Sequence, residues 1–194
     1  LTLWLRLKLI ADVGLVGKPN VGKSSLLSII SNAKPKIGDF PFTTINPNLG
    51  LVIHNQVDFI VADIPGLIEG ANEGKGIGIK FLGHIERCRA LVHVIDITTK
   101  NIFEDYQSTL NELEKYKESL TLKIQLVILN KVDLLSNREI TKIVTLFKDM
   151  GIGVLPVSTY TKIGVVDLLN KLVEILNINE FDNNPTGVEH KWVP

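Results

Sequence analysis

The sequence contains one cysteine, no excess of either charge and no apolar run long enough to cross a membrane. The single cysteine, Cys88, excludes an internal disulfide, which fits a reducing cytoplasm, and we interpret it as a small buried apolar residue. The 21 Lys and Arg residues balance the 21 Asp and Glu residues, so nucleic-acid binding by bulk charge is not expected, although a local patch is still allowed. We find no signal peptide and expect no membrane partner.

What the sequence does contain is typical of one folded domain. Of its 194 residues, 45% are hydrophobic and 22% are charged. Strands alternate with amphipathic helices, which predicts an α/β fold with a mostly parallel six-stranded sheet flanked by helices. Two strands form an antiparallel hairpin that turns at Asn55-Gln56. The predicted strands are 10–16, 49–54, 57–63, 90–96, 124–130 and 153–157, and the predicted helices are 24–31, 79–88, 104–118, 137–149 and 165–176.

The first strand leads into the pattern G-x-x-x-x-G-K-[ST], which binds phosphates in P-loop proteins. Its glycines allow backbone N–H groups to surround the phosphates at a helix N-terminus. The lysine would reach the β and γ phosphates, and the first serine hydroxyl would bind Mg²⁺. The predicted phosphate-binding residues are Gly17, Lys18, Pro19, Asn20, Val21, Gly22, Lys23, Ser24 and Ser25.

Two further motifs follow strands of the same sheet. Asp63, Ile64, Pro65 and Gly66 form D-x-x-G, in which the carboxylate would hold Mg²⁺ through water and the glycine N–H would meet the γ-phosphate. A strand-ending aspartate is by itself more often a turn former, but its place one hairpin after the P-loop favours the metal site.

The second motif is N-K-x-D, at the end of strand 124–130. An aspartate carboxylate can accept from both the ring N–H and the amine of guanine, and adenine offers no such pair of donors on that edge. The lysine would lie over the base, and the asparagine would brace the loop and touch the base. The residues are Asn130, Lys131, Val132 and Asp133.

Two weaker signals complete the candidate site. Phe42, Thr43 and Thr44 lie in a proline-rich loop, where either threonine could close over Mg²⁺ once a γ-phosphate is bound. Ser158, Thr159 and Tyr160 follow the last strand, where backbone N–H groups could reach the guanine O6.

These motifs and the segments around them resemble the Obg family of GTPases, over about residues 5–175. The likeness includes residues 9–17, 33–37, 41–44, 47–50, 62–71 and 81–89. It implies a P-loop NTPase of the Ras-like G-domain type that binds GTP and GDP with Mg²⁺. By this resemblance Thr44 is the Mg²⁺ ligand beside Ser24 and Asp63. The family usually has Ser-Ala where this chain has Ser158-Thr159, so the geometry of that loop is open.

The resemblance also bears on domains and partners. Family members carry a glycine-rich N-terminal domain, so we expect residues 1–8, whose leucines alternate as in a half-buried strand, to be its remnant or a linker. We expect residues 9–178 to be the GTPase domain and 179–194 a tail or linker. The bacterial members act in assembly of the large ribosomal subunit and in responses to (p)ppGpp. Those two partners are therefore expected of the full-length protein.

Catalysis is predicted to depend on Lys23, Thr44, Gly66 and Asn20. Ras-like enzymes have a water-orienting glutamine directly after D-x-x-G, whereas this chain has Leu67, which predicts turnover on the order of 10⁻⁴ per second. Asn20 either helps to hold K⁺ beside the phosphates, as in related GTPases, or only shapes the loop. The alternatives to a switch are an ATP-using P-loop kinase and a sensor that binds GDP or (p)ppGpp without functional hydrolysis.

His93 and His84 are interpreted as structural. His93 lies among apolar residues and is expected to be a hydrogen-bonded core histidine, and His84 to be a surface or packing residue.

Overall fold

The computed structural model describes residues 11–32, 36–37, 47–64 and 85–176. Its strands are β1 (Ala11–Val16), β2 (Lys36–Ile37), β3 (Asn48–His54), β4 (Val57–Asp63), β5 (Cys88–Asp96), β6 (Ile124–Asn130) and β7 (Val154–Pro156). Its helices are α1 (Lys23–Ile30), α2 (Ile102–Tyr116), α3 (Asn137–Asp149) and α4 (Val165–Leu176), with short 3-10 helices at Glu118–Lys123 and Val132–Leu134.

The strands form one sheet in the order β2-β3-β4-β1-β5-β6-β7. In the part of the sheet ordered β4-β1-β5-β6-β7, all neighbouring strands are parallel. Strand β3 pairs with β4 in the antiparallel hairpin. Six of these strands are the predicted ones, which confirms the mostly parallel α/β class. The seventh, β2, corrects the strand count: Lys36 pairs with Leu49 and Ile37 with Asn48. A two-residue strand is too short to show a hydrophobic period, so the sequence pattern does not reveal it.

The β3–β4 hairpin has the turn that its sequence predicts. Asn55 and Gln56 have φ angles of 50° and 63°. Positive φ at both central residues is the type I′ geometry that matches the twist of paired strands, and asparagine accepts it readily. The turn fixes a register in which Asn48 faces Asp63, so Asp63 ends the hairpin at the carboxyl edge of the parallel strands.

The sheet has apolar side chains on both faces. Val92 and Val94 of β5 enter a core cluster with residues of α1 and α4. Leu91 and Ile95, which point the opposite way, enter two clusters that include Leu113 of α2 and Phe147 of α3. Helices therefore cover both sides of the sheet, as predicted.

Several boundaries differ from prediction by one or two residues, and the start of β5 and the end of α2 are two examples. Strand β5 begins at Cys88 rather than at residue 90, so Cys88 starts a strand instead of ending a helix. Its thiol is buried as predicted, and burial raises its pKa to about 12. Helix α2 ends at Tyr116, and a 3-10 helix follows it. Within the described parts of the chain, no helix has both the length and the apolar character needed to cross a membrane.

Several predictions concern residues outside the described ranges. These are the alternating segment 1–8, the tail 179–194, residues 79–84 of the predicted helix 79–88, His84, and the site residues Phe42, Thr43, Thr44, Pro65 and Gly66.

Candidate nucleotide-binding site

The P-loop after β1 has the backbone that its glycines allow. Gly17 and Gly22 have φ angles of 146° and 98°, and a Cβ atom on Gly17 would collide with the carbonyl oxygen of Val94. A Cβ atom on Gly22 would collide with the Asn130 side chain. Both positions therefore require glycine, which lets the loop pass close to β5 and β6.

The loop ends at the N-terminus of α1. Gly22 is the N-cap residue, its carbonyl accepts the first helical hydrogen bond from Leu26 at 2.8 Å, and it has no side chain to cap the helix. The first turn contains no acidic residue. The first N–H groups and the positive end of the helix dipole can therefore bind an anion.

Lys23, the lysine of the P-loop motif, is the first residue of α1, and its side chain reaches back to the loop. It is 6% exposed, and its Nζ donates to the carbonyl oxygens of Gly17 and Lys18, both at 2.9 Å. Burial lowers the pKa of Lys23, and the negative charge of Asp63 partly offsets that effect. A bound phosphate would supply a charged partner for this buried cation in place of neutral carbonyls.

Ser24 and Asp63 meet because β1 and β4 are parallel neighbours, with Leu15 facing Asp63. Ser24 Oγ donates to Asp63 Oδ2 at 2.5 Å. Asp63 is 3% exposed, and its Oδ1 has no hydrogen-bond partner among the described residues. A buried carboxylate oxygen without a donor, beside a hydroxyl, fits the hard oxygen ligands that Mg²⁺ requires.

Asn130 joins the two ends of the site. Its side chain is fully buried, with Nδ2 donating to Val21 O of the P-loop at 2.8 Å. Its Oδ1 accepts from the N–H of Thr159 at 3.2 Å. These contacts connect the P-loop, β6 and the loop after β7, while the bracing role and the contact with a base stay predictions.

Lys131 has a left-handed backbone, with φ of 67°, and its Nζ contacts Asp96 Oδ2 at 2.6 Å. Asp96 Oδ1 accepts from the N–H and the hydroxyl of Thr98 at 2.9 and 2.7 Å. Burial alone would raise the pKa of Asp96, but the hydrogen bonds from Lys131 and Thr98 outweigh it and lower the pKa. The carboxylate therefore stays charged and holds Lys131 at the edge of the sheet.

Asp133 is an exposed residue of the 3-10 helix Val132–Leu134. Its Oδ1 accepts from Ser158 Oγ at 2.5 Å. The N–H groups of Ser158 and Thr159 donate to Ile163 O and Asn130 Oδ1. These two groups would have to share or exchange those bonds to reach a guanine O6, so that contact stays a prediction.

The structure thus brings together the P-loop, Asp63, Asn130–Asp133 and Ser158–Thr159 at the carboxyl ends of parallel strands. Sequence reasoning did not identify Asp96. Asp96 ends β5 beside Asn130 in the register. A strand-ending carboxylate next to N-K-x-D was an available signal, because strand ends of a parallel sheet share one edge.

The fold and this site define a P-loop nucleotide-binding domain of the GTPase class. Residues 12–131 match the family described as 50S ribosome-binding GTPase. The chain belongs to that family.

The curated relatives are similar to it over most of its length. The chain is 50% identical to "GTPase Obg" of Rickettsia typhi (strain ATCC VR-144 / Wilmington) over 173 residues, which are 89% of this chain and 52% of that protein. It is 50% identical to "GTPase Obg" of Orientia tsutsugamushi (strain Boryong) over 174 residues, 89% of this chain and 53% of that protein. The resemblance to Obg proteins is confirmed, and the chain spans about half the length of these relatives.

Solved structures share the fold. The cytosolic domain of the T. maritima FeoB iron transporter in a GDP form matches with a TM-score of 0.66 and 23% identity, covering 88% of this chain and 65% of that one. A variant of Aquifex aeolicus Era bound to GDP and aluminium fluoride matches with a TM-score of 0.64 and 24% identity, covering 89% and 58%. At such identities the likeness supports the fold alone.

Proposed function

We propose that this chain is the Mg²⁺-dependent, slowly hydrolysing switch domain of a larger GTPase. The observation that carries the proposal is the contact of Asn130 with both Val21 of the P-loop and the Thr159 backbone. That contact supports the proposal that the predicted phosphate-binding and base-reading segments belong to one site. A nucleotide could bind there through its phosphates and its base.

The metal would be held by the oxygen atoms of Ser24 and Asp63, with Thr44 added when a γ-phosphate is present. Bound there, Mg²⁺ would neutralise charge on the β and γ phosphates. Two observations support this ligand set: the close Ser24–Asp63 contact, and an Asp63 Oδ1 that has no partner within the described part of the chain.

The protein's own groups would do the rest. Lys23 would leave the Gly17 and Lys18 carbonyls to bind the β and γ phosphates, and the Gly66 N–H would position the γ-phosphate. Leu67 cannot orient water, so we expect intrinsic turnover on the order of 10⁻⁴ per second. Asn20, whose φ is 62°, would place its side chain beside the phosphates, where it could help to hold K⁺.

The partners follow from the family. Its description as 50S ribosome-binding supports the large ribosomal subunit as the partner of the full-length protein in the cytoplasm. Because (p)ppGpp shares with GDP and GTP a guanine base and adjacent phosphates, we propose it as a further ligand of the same site. Because Leu67 stands where Ras-like enzymes have the water-orienting glutamine, a sensor that binds nucleotide without functional hydrolysis is the second candidate function.

Nucleotide competition tests the site. The assay measures how well GTP, GDP, ATP and XTP each displace a fluorescent GDP analogue from the wild-type chain and from Asp133→Asn. The control is Asp149→Asn, which changes an exposed aspartate at the end of α3. We expect GTP and GDP to compete, ATP to fail, and only Asp133→Asn to turn towards XTP. Equal competition by ATP would remove the guanine assignment and favour a kinase or ATPase.

Single-turnover hydrolysis separates switch from sensor. We expect slow hydrolysis by the chain, and acceleration by large ribosomal subunits for a chain extended to the full length of its relatives. Absence of any acceleration would favour the sensor. Equal rates in K⁺ and Na⁺ buffers would remove the K⁺ role of Asn20.

A further inference from the structure

The Lys18 side chain connects the P-loop to helix α2, and phosphate binding by the backbone of the loop gives this side chain no role. Lys18 Nζ lies 2.5 Å from Asp105 Oδ1 of α2, which is 87 residues away in the chain. The side chains are only 32% and 17% exposed, so water and salt screen this pair less than a pair on the open surface.

The pair is continuous with the phosphate-binding groups. The carbonyl oxygen of Lys18 accepts from Lys23 Nζ, and the Lys18 side chain donates to Asp105 of α2. One residue therefore connects the catalytic lysine to a helix of the sheet's outer layer.

The other end of the connection is rigid. The Asp105 carbonyl accepts from the buried Thr109 hydroxyl at 3.2 Å. The next residue, Tyr106, stacks on buried His93 of β5, with ring centroids 5.4 Å apart, and meets Phe147 of α3 edge-on. The carboxylate is thus presented to the P-loop by a helix that is packed against β5 and α3.

We propose that Asp105 is a positioning residue for nucleotide binding, which acts through Lys18 to hold the P-loop in its phosphate-binding form. Without the Lys18–Asp105 ion pair, the P-loop samples other backbone conformations, and nucleotide binding has to restore the phosphate-binding conformation. GDP and GTP then dissociate faster. The preference for guanine does not change, because the base-reading residues lie at the other end of the site.

A second carboxylate near Lys18, that of Glu112, affects which substitution tests the proposal best. Glu112 lies two turns further along α2, its Oε2 has no partner among the described residues, and burial raises its pKa while Lys115 and Lys18 lower it. In Asp105→Asn, Glu112 is the remaining carboxylate near Lys18. Lys18→Met removes the cation from both carboxylates and is the stricter test.

Dissociation of a fluorescent GDP analogue, measured by stopped flow with excess GDP, tests the proposal. The variants are Asp105→Asn, Lys18→Met, these two combined, Lys18→Glu alone, and the charge-reversed pair of Lys18→Glu with Asp105→Lys. The controls change exposed groups of the same types on other helices, Asp167→Asn and Lys142→Met.

We expect about fivefold faster dissociation for Lys18→Met, an equal or smaller effect for Asp105→Asn, and no further increase when the two are combined. The charge-reversed pair should release the analogue more slowly than Lys18→Glu alone, a partial rescue that a merely structural loss would not show. Additive single effects, or rates within the range of the controls, would overturn the proposal. The inference rests on nucleotide binding at this loop, and a wild-type chain that bound no GDP would instead overturn the proposed function itself.

Discussion

Ser24 Oγ donates to Asp63 Oδ2 at 2.5 Å, although 39 residues separate them in the chain. Their meeting results from the topology, because Ser24 follows the carboxyl end of β1 and Asp63 ends β4, the parallel neighbour of β1. Asp63 is buried, and its Oδ1 has no hydrogen-bond donor among the described residues. A divalent cation bound beside this pair would supply that oxygen with a partner.

The first prediction concerns this pair. Asp63→Asn should weaken Mg²⁺ binding about 10- to 100-fold, because the amide carries no charge and offers only one acceptor oxygen. GDP should then dissociate from the variant in Mg²⁺ about as fast as it does from wild type in EDTA. Asp58→Asn, an exposed change on the same strand, is the control and should retain the full response to EDTA. A normal Mg²⁺ response in Asp63→Asn would contradict the metal assignment.

The second prediction concerns the buried amide that joins the P-loop to the β7 loop. Asn130→Ala removes the donor to Val21 O and the acceptor of the Thr159 N–H, so it should lower the free energy of unfolding by about 2 to 3 kcal/mol. GDP affinity should fall as well, because both loops lose their common support. Urea unfolding without nucleotide and a GDP titration measure the two effects. The exposed change Asn137→Ala should alter neither, and an Asn130→Ala chain as stable as this control would refute the bracing role.

The third prediction concerns Asp96, which holds Lys131. Asp96→Asn should release the lysine from the edge of the sheet and weaken GDP binding about fivefold. Thr98→Val removes one donor to Asp96 but leaves the Lys131 contact, so it should bind GDP like wild type. Equal affinities for wild type and Asp96→Asn would show that Lys131 needs no partner.

Local sequence signals predicted much of this fold because they act within a few residues. Helix α3 begins and ends where predicted, and its N-terminus carries a capping box between Ser136 and Glu139. The Asn55-Gln56 turn follows equally local backbone preferences. Strand β2, by contrast, exists only because β3 is beside it, and Cys88 joins a strand through its pairing with Ala11 of β1.

The candidate site divides in the same way. The P-loop, D-x-x-G and N-K-x-D motifs are local in sequence, and their order along the chain sufficed to predict them. The partners that hold them are distant: Asp105 lies 87 residues from Lys18, and Asp96 lies 35 residues from Lys131. No periodicity specifies such pairs, because they depend on which helix or strand the sheet order places beside the loop.

The last prediction concerns His93, which is buried as predicted but whose Nδ1 has no hydrogen-bond partner among the described residues. Burial lowers the pKa of His93 from 6.5 to about 3, with Asp105 opposing and Lys23 reinforcing the shift. Between these values the unfolded chain binds a proton that the folded chain does not, so stability rises with pH up to about 6.5 and is constant above it. Acidification from pH 7 to pH 5 should therefore remove about 2 kcal/mol through this residue.

His93→Phe should abolish that part of the pH dependence. The variant keeps an aromatic ring against Tyr106 and has no nitrogen to protonate, so its stability at pH 7 should lie within about 1 kcal/mol of wild type. At pH 5 it should be the more stable protein by about 2 kcal/mol in urea unfolding. Tyr106→Phe, which keeps His93 and the stacked ring, should retain the wild-type pH dependence. If His93→Phe and wild type lost stability in parallel on acidification, His93 would have to be protonated in the folded state, and the surrounding core would have to admit water or a carboxylate to that ring.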